Sequence, residues 1–252
     1  MLTAAVEAAL AAGAILRERY EKPHQVTMKG EIDLVTEADL ASEAIILEIL
    51  ARRAPGIAVL AEESGRHPGS GERCWIIDPL DGTTNFAHGF PVFAVSIGLL
   101  FGKDPSVGVV YCPMQDELFC ATRGGGTWCN GRRLSVTATT RLIEALVATG
   151  FPYEIRRHLD QVLDWARVLL PLVRDIRRAG AAAVDLAWVS CGRLDAFYEV
   201  ALKPWDAAAG WLLVEEAGGR VSALDGRPFD PFVPELLASN GRLHGSLLEL
   251  LA

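Results

Sequence analysis

No stretch of this 252-residue chain reaches the ~18 uninterrupted apolar residues that a membrane-spanning helix requires, so no membrane partner is expected. The opening, Met1 to Leu16, has no basic n-region and is interrupted by Glu7, so it reads as a helix and not as a secretory signal. Cysteine is sparse and odd in number. Cys74, Cys112, Cys120, Cys129 and Cys191 include no CxxC spacing, which argues against a disulfide framework and a zinc site and points to a reducing cytoplasm. A Cys112–Cys120 bridge across a hairpin is disfavoured for the same reason. Positive charge is in deficit: 24 Lys+Arg against 32 Asp+Glu give a net charge of -8, which argues against nucleic acid or an anionic membrane held by bulk electrostatics. A phosphorylated substrate would have to be attracted locally, by metal and backbone, because the global field repels it. Repeats, low-complexity tracts and obvious linkers are missing too.

What is present is ordinary for a globular protein: 50% hydrophobic and 22% charged residues. A chain of this length can bury roughly three quarters of its unfolded surface. Leu2, Val6, Ala9, Leu10, Gly13, Leu16 and Tyr20 recur at three- and four-residue steps and predict an amphipathic helix that Pro23 ends. After a polar segment to Thr36, Asp39 opens a second helix with Leu40, Ala44, Ile45, Leu47, Ile49 and Leu50 as its apolar positions, closed by Pro55-Gly56. Ile57 to Leu60 reads as a short buried strand, and Arg66 to Glu72 as an exposed, mobile loop. Val92 to Phe101, Val107 to Cys112, Glu117 to Thr122 and Thr127 to Asn130 read as an antiparallel meander, with Asn130-Gly131 as a strong turn signal. Leu142 to Thr149 resembles another strand, and a helix from about Tyr153 through Val173 follows, with Leu159, Val162, Leu163, Ala166, Leu169 and Leu170 on one side. An Ala-rich helix runs to Cys191 with Gly192 as its C-cap, Leu194 to Val200 is strand-like, and Ala207 to Ala217 is a helix stopped by Gly218-Gly219. Short strands at Val221 and at Leu236 to Ser239 and a helix from Leu243 to Leu251 close the chain. Mixed α and β structure follows, in two lobes of one unit, about 1–138 and 139–252.

The chemistry centres on Trp75 to Phe86. An apolar run from Cys74 to Ile77 reads as a buried strand that stops at Asp78. Pro79 and Gly82 then predict a sharp bend that holds Asp78 and Asp81 just past the strand's carboxyl end, where α/β sheets present their chemistry. Thr83, Thr84 and Asn85 are helix N-cap types, so backbone N–H groups could converge there on an anion. The preceding strand ends in Glu62-Glu63, and Asp206 opens a helix after a Pro-Trp turn. Two carboxylates ~4 Å apart near a protein surface repel by about 4 kcal/mol, so such a cluster calls for protons or cations. All-oxygen donors select hard divalent cations, Mg²⁺ first and Mn²⁺ next. Clustered carboxylates, metals and backbone donors fit displacement at phosphorus. Read from residue type alone, Glu63 is a ligand or a solvated turn residue, and Thr83 either relays a water proton or caps a helix.

The run Asp78-Pro79-Leu80-Asp81-Gly82-Thr83-Thr84-Asn85-Phe86, with Glu62-Glu63-Ser64 upstream and Trp205-Asp206-Ala207-Ala208-Ala209-Gly210 downstream, resembles the inositol monophosphatase family, a lithium-sensitive group. The resemblance runs end to end, through Asp33-Leu34-Val35-Thr36-Glu37-Ala38-Asp39 and Arg178-Ala179-Gly180-Ala181-Ala182-Ala183. It implies an α-β-α-β-α sandwich of the type shared with fructose-1,6-bisphosphatase, a homodimer, and two to three Mg²⁺ ions per site. Glu62, Asp78 and the Leu80 carbonyl would bind the first ion, and Asp78, Asp81 and Asp206 the second. A weaker third would sit near Glu62. Asp39 and Thr83 would orient the attacking water, with Glu63 counted beside them as catalytic. Gly82, Thr83 and Thr84 would receive the phosphate, and Asp81 and Asp206 would help deliver a proton through water to the departing alkoxide. Gly180, Ala181, Ala182 and Glu199 would face the rest of the substrate. At Ala181 some members carry a threonine, so one hydroxyl contact worth about 1 kcal/mol is missing here. The implied reaction is Mg²⁺-dependent hydrolysis of a small phosphorylated polyol or sugar, with inositol monophosphate first. Fructose 1,6-bisphosphate, histidinol phosphate and adenosine 3',5'-bisphosphate phosphatases share the metal motif, and a non-catalytic regulatory binding protein is the reading from another class.

Overall fold

Small side chains start the fold. Helix α1 (Leu2–Arg19) buries Ala4, Ala5, Ala8, Ala9, Ala12 and Leu16. The computed structural model describes residues 1–22, 26–28 and 34–252, with backbone alone at 26–28, 34 and 35, so the expected helix stop Pro23 and the motif residue Asp33 lie outside the described residues. Strands β1 (Val26–Met28) and β2 (Leu34–Thr36) pair antiparallel and lead into α2 (Glu37–Arg53). The Thr36 hydroxyl accepts the Ala38 N–H at 3.1 Å, and the Asp39 carboxylate accepts the Thr36 N–H at 2.8 Å. Asp39 is therefore the third residue of the helix, part of a capping box, rather than its opening residue. Leu40, expected on the apolar face, is 57% exposed.

Strand β3 (Ala58–Ala61) is followed by β4 (Gly65–His67), an antiparallel edge strand within the segment read as a loop. Its three residues, Gly65, Arg66 and His67, carry no apolar alternation to mark it. Strand β5 (Arg73–Asp81) runs parallel to β3 and ends at the short helix α3 (Thr83–Ala87). The expected meander follows as β6 (Ala94–Phe101), β7 (Asp104–Cys112), β8 (Glu117–Thr122), β9 (Gly126–Cys129) and β10 (Arg132–Arg133). These strands form an eight-stranded mixed sheet in the order β10-β9-β8-β7-β6-β5-β3-β4. Cys112 pairs with Glu117 and Cys120 with Val109, and all five thiols are free.

After a 3₁₀ turn at Leu142–Glu144, which takes the first part of the strand expected from Leu142, β11 (Leu146–Thr149) opens a second sheet. Helix α4 (Ile155–Leu169) is shorter than predicted and buries Val162, Trp165 and Leu169. Leu159, Leu163 and Leu170, expected on the same side, remain exposed, because Trp165 takes the core position and ties its Nε1–H to the Leu251 carbonyl at 2.9 Å. Next come β12 (Asp175–Arg177), α5 (Ala182–Ser190), β13 (Ala196–Val200), α6 (Pro204–Glu216), β14 (Arg220–Ser222), β15 (Glu235–Ser239) and α7 (His244–Leu251). The second sheet has the order β12-β11-β13-β15-β14.

Alternation along the strands then builds the layers. Trp75, Ile77, Val95 and Tyr111 face α1 and α2. Ile76 and Leu100 face the opposite way, toward α5 and α6, which also meet Phe197, Leu236 and Ala238 of the second sheet. Val147, Tyr198 and Leu237 pack with Trp165 of α4 and Leu247 of α7 on the far side. The result is an α-β-α-β-α sandwich. Helix α6 lies hard against the first sheet because a Cβ on Gly108 would come within 2.5 Å of the Ala209 carbonyl oxygen. That contact brings the start of α6, and Asp206 with it, toward the end of β5. Among the described residues no helix is long and apolar enough to cross a membrane.

Candidate active site

Strand β5 does not stop at Asp78. It pairs with β6 at Asp78↔Ser96 and again at Asp81↔Ala94, with a register shift between them. The two acids therefore sit in a bulge inside the strand's last turn of chain rather than on a loop beyond it. Pro79 has no N–H for the ladder, so the strand bulges there. The bulge is anchored by the Leu80 N–H, which donates to Asp78 Oδ1 at 3.0 Å, and by the Ser42 hydroxyl, which donates to the Pro79 carbonyl at 2.7 Å. Gly82 caps α3 in the left-handed region (φ 92), which only glycine adopts without strain. The expected side-chain N-cap from Thr83 to Asn85 is thus absent. The Thr83 hydroxyl lies 2.9 Å from Asp39 Oδ1 and 3.0 Å from the Leu80 carbonyl oxygen, two acceptors for its one proton. Asn85 instead donates its amide to the carbonyls of Val92 at 2.7 Å and Ala179 at 2.9 Å, tying the motif to the segment before α5.

Helix α2 supports the site from behind. Asp39 is fully buried and accepts from the Thr36 hydroxyl at 2.6 Å as well as from Thr83. Burial raises its pKa above the ordinary value, and the Thr36 bonds pull it back. One turn later, Glu43 accepts the N–H groups of Glu63 and Ser64, both at 2.9 Å, and fixes the loop that carries Glu62. From the other side, Ala183 of the first turn of α5 donates its N–H to Asp81 Oδ2 at 2.8 Å. Asp206 accepts the Lys203 N–H at 2.6 Å at the start of α6.

A cavity of about 410 Å³ is lined by Glu62, Asp78, Leu80, Asp81, Gly82, Thr83, Thr84, Gly180, Ala181, Ala182, Glu199 and Asp206. Two of the sequence-predicted residues stand outside that lining: Asp39, which reaches it through Thr83, and Glu63, whose amide is held by Glu43. Sequence reasoning missed Gly150, Phe151, Asp185 and Trp205, which also line the cavity. For Asp185 a signal was available, as the only charge in the apolar run Ala182–Ser190. Glu43 is likewise an acid one helical turn after Asp39.

The carboxylates strain against one another. Burial, followed by the charges of Glu62, Asp81 and Asp206, raises Asp78 well above the carboxylate range, and Asp78 shares a hydrogen bond with Glu62. Burial pushes Asp81 up to about 7, with the Ala183 N–H opposing it. Two carboxyl groups in hydrogen-bond contact need a proton or a cation between them. The donors are all oxygen, which fits a hard divalent cation. Among the described residues no group of three or more acidic, histidine or cysteine side chains is arranged around a single point, and Asp81 and Asp206 are each tied to a backbone N–H.

The family model described as the inositol monophosphatase family matches residues 1–252. Inositol-1-monophosphatase of Synechocystis sp. is 49% identical over 253 residues, covering 100% of this chain and 88% of that protein. Nus factor SuhB of Salmonella typhimurium is 43% identical over 251 residues, covering 98% of this chain and 94% of that protein. The solved structure of inositol monophosphatase from Anabaena superposes with a TM-score of 0.91 at 45% identity, covering 99% of this chain and 94% of that one.

Proposed function

The chain belongs to the inositol monophosphatase family, and from that premise we propose that it hydrolyses the phosphate monoester of a small polyol or sugar, inositol 1-phosphate first, by in-line attack of water. One observation carries the reading. Glu62, Asp78, Asp81 and Asp206 reach a single cavity from separate segments, beside a Thr83 hydroxyl already bonded to buried Asp39. Glu62, Asp78, Asp81, Asp206 and the Leu80 carbonyl would hold Mg²⁺ ions, two with a weaker third, and Mn²⁺ could replace them. When bound, such ions lower the pKa of a coordinated water and neutralise charge that develops on the leaving oxygen.

The protein groups divide the remaining work. The Thr83 hydroxyl accepts a proton from the attacking water as it passes its own to Asp39, a short relay in which Asp39 is the terminal base. Gly82, Thr83 and Thr84 receive the phosphate through N–H and hydroxyl groups. Gly180, Ala181, Ala182 and Glu199 face the alcohol portion, and Asp81 and Asp206 help return a proton, through water, to the alkoxide. Glu63 contributes by position, as the residue whose anchored amide holds Glu62 in place. The reading includes a homodimer in the cytoplasm, and lobes of about 1–138 and 139–252 that unfold as one cooperative unit. The change from the eight-stranded to the five-stranded sheet supports that division. A second reading, a partner-binding regulator, is favoured only by the relative named Nus factor SuhB, and the filled carboxylate set supports the enzyme first.

Phosphate release from inositol 1-phosphate, followed after exhaustive chelation and again with Mg²⁺ restored, tests the proposal. Turnover undiminished by chelation would overturn the metal assignment. Silence across a panel of phosphate monoesters that includes fructose 1,6-bisphosphate would overturn the enzyme reading.

A further inference from the structure

One acid in the cavity stands apart from the others. Asp185 is 1% exposed, lines the cavity, and has no hydrogen-bond partner at Oδ1. Asp39, Asp78 and Asp81 each accept a hydrogen bond from a neighbouring residue: Thr83, the Leu80 N–H and the Ala183 N–H. A buried acceptor without a donor is costly to the folded state, and in a cavity it marks a place where a ligand can supply the missing bond. Glu199 belongs to the same end. A Cβ on Gly150 would lie 2.0 to 2.2 Å from the Glu199 carboxyl atoms, so the carboxyl group rests directly against the Gly150 backbone in space that any other residue would fill. Burial raises the pKa of both Asp185 and Glu199 well above the carboxylate range, the charge of Asp185 adds to the rise at Glu199, and Arg178 opposes it at both. The Arg178 guanidinium itself lies over the Phe151 ring, 5.2 Å from its centre.

We propose that Asp185 is a specificity-determining residue: its unpartnered oxygen, together with the Glu199 carboxyl group seated by Gly150, bonds hydroxyl groups of the alcohol portion, selecting polyol phosphates over monoesters whose alcohol carries no hydroxyl. The inference rests on the phosphatase reading above and narrows its substrate. A polyol hydroxyl supplies the hydrogen-bond partner that the buried Asp185 oxygen lacks. A substrate without hydroxyl groups leaves the buried oxygen unpaired, the condition under which polar sites reject analogues most strongly.

The test compares kcat/KM for inositol 1-phosphate and phenyl phosphate in the wild-type protein, Asp185→Ala and Gly150→Ala. In both variants the ratio of inositol 1-phosphate to phenyl phosphate should fall by about ten-fold, chiefly through KM, as expected when a buried polar group loses its hydrogen-bond partner. Gly150→Ala displaces only the end of the flexible Glu199 side chain, so it remains informative if Asp185→Ala does not fold. Unchanged ratios in the folded variants overturn the proposal. A wild-type protein active on phenyl phosphate but not on inositol 1-phosphate refutes the inositol substrate alone, and the Asp185 effect is then read from glycerol 2-phosphate against phenyl phosphate by the same criterion.

Discussion

Removing divalent cations should make this protein less stable at neutral pH than at mildly acidic pH, and Asp81 should account for much of the difference. Its pKa is raised from 3.8 to about 7 in the fold, chiefly by burial. Between those values the folded state holds a proton that the unfolded state has lost, so the contribution of Asp81 is fully present below about 3.8 and is lost as pH rises to about 7. At about 1.4 kcal/mol per pKa unit, the decline attributable to Asp81 is about 4 kcal/mol in all, about 3 kcal/mol of it above pH 5, a large share of a typical domain stability of about 5–15 kcal/mol. Mg²⁺ present at about a hundred times its Kd would return about 2.7 kcal/mol. His244 works in the opposite direction. It is fully buried between the Ser222 and Ser239 hydroxyls, at 2.8 and 2.9 Å, and its pKa is lowered to about 4 by burial. The comparison must therefore be made against Asp81→Asn rather than on the raw slope. Urea denaturation at pH 5 and pH 7.5, with EDTA or with Mg²⁺, gives the measurement. Metal-free wild-type protein should lose stability relative to Asp81→Asn as pH rises, and Mg²⁺ should stabilise the wild type more than the variant. Equal pH slopes and equal responses to Mg²⁺ in the two proteins would refute the account of the carboxylate cluster.

Thr83→Ala should lower kcat by about a hundred-fold or more with little change in KM, the pattern for an interaction made in the transition state, while Thr83→Ser retains most of the rate. A loss of thermal stability with unchanged kinetics would return Thr83 to a structural role. Asp206→Asn should abolish most activity while the circular dichroism spectrum and a single unfolding transition persist, and near-normal kcat would remove Asp206 from the metal set. His244→Gln should flatten the acid limb of the stability profile: the wild type loses up to about 3 kcal/mol as pH falls from 6.5 toward 4, because the unfolded chain takes up the proton first, and urea midpoints across that window measure the difference. Sedimentation velocity should give one species of twice the chain mass, and a monomer at micromolar concentration would overturn the proposed homodimer.

Much of the architecture was legible where a local pattern was enough. The existence of helices α1 and α6 and the meander with its Asn130-Gly131 turn rest on periodicity or on turn chemistry that acts within a few residues, although α1 buries Ala4, Ala5, Ala8 and Ala12 where Leu10 was expected, and α6 starts at Pro204 and not at Ala207. The acidic motif was legible as residue types in order. Its geometry was not. Pro79 signals an interruption, but whether the chain turns away or bulges within the strand depends on whether β6 is there to resume pairing at Ala94. Strands β4 and β12 escaped notice because each is a three-residue edge strand, Gly-Arg-His and Asp-Ile-Arg, too short and polar to show an apolar alternation. The exposed Leu159 and Leu163 misled because a helix shows its periodicity, not the direction in which its neighbours lie.

The sequence alone therefore determined the segments, the oxygen-donor chemistry and, through its motifs, the family. Tertiary structure decided which donors share a cavity, why Thr83 bonds to Asp39 across the fold instead of capping α3, and that Asp185 and Gly150 belong to the site at all. The division has a physical cause. Propensity, capping and periodicity are written in neighbouring residues, whereas burial, charge coupling and the room left by a missing Cβ arise only when distant segments are packed against one another.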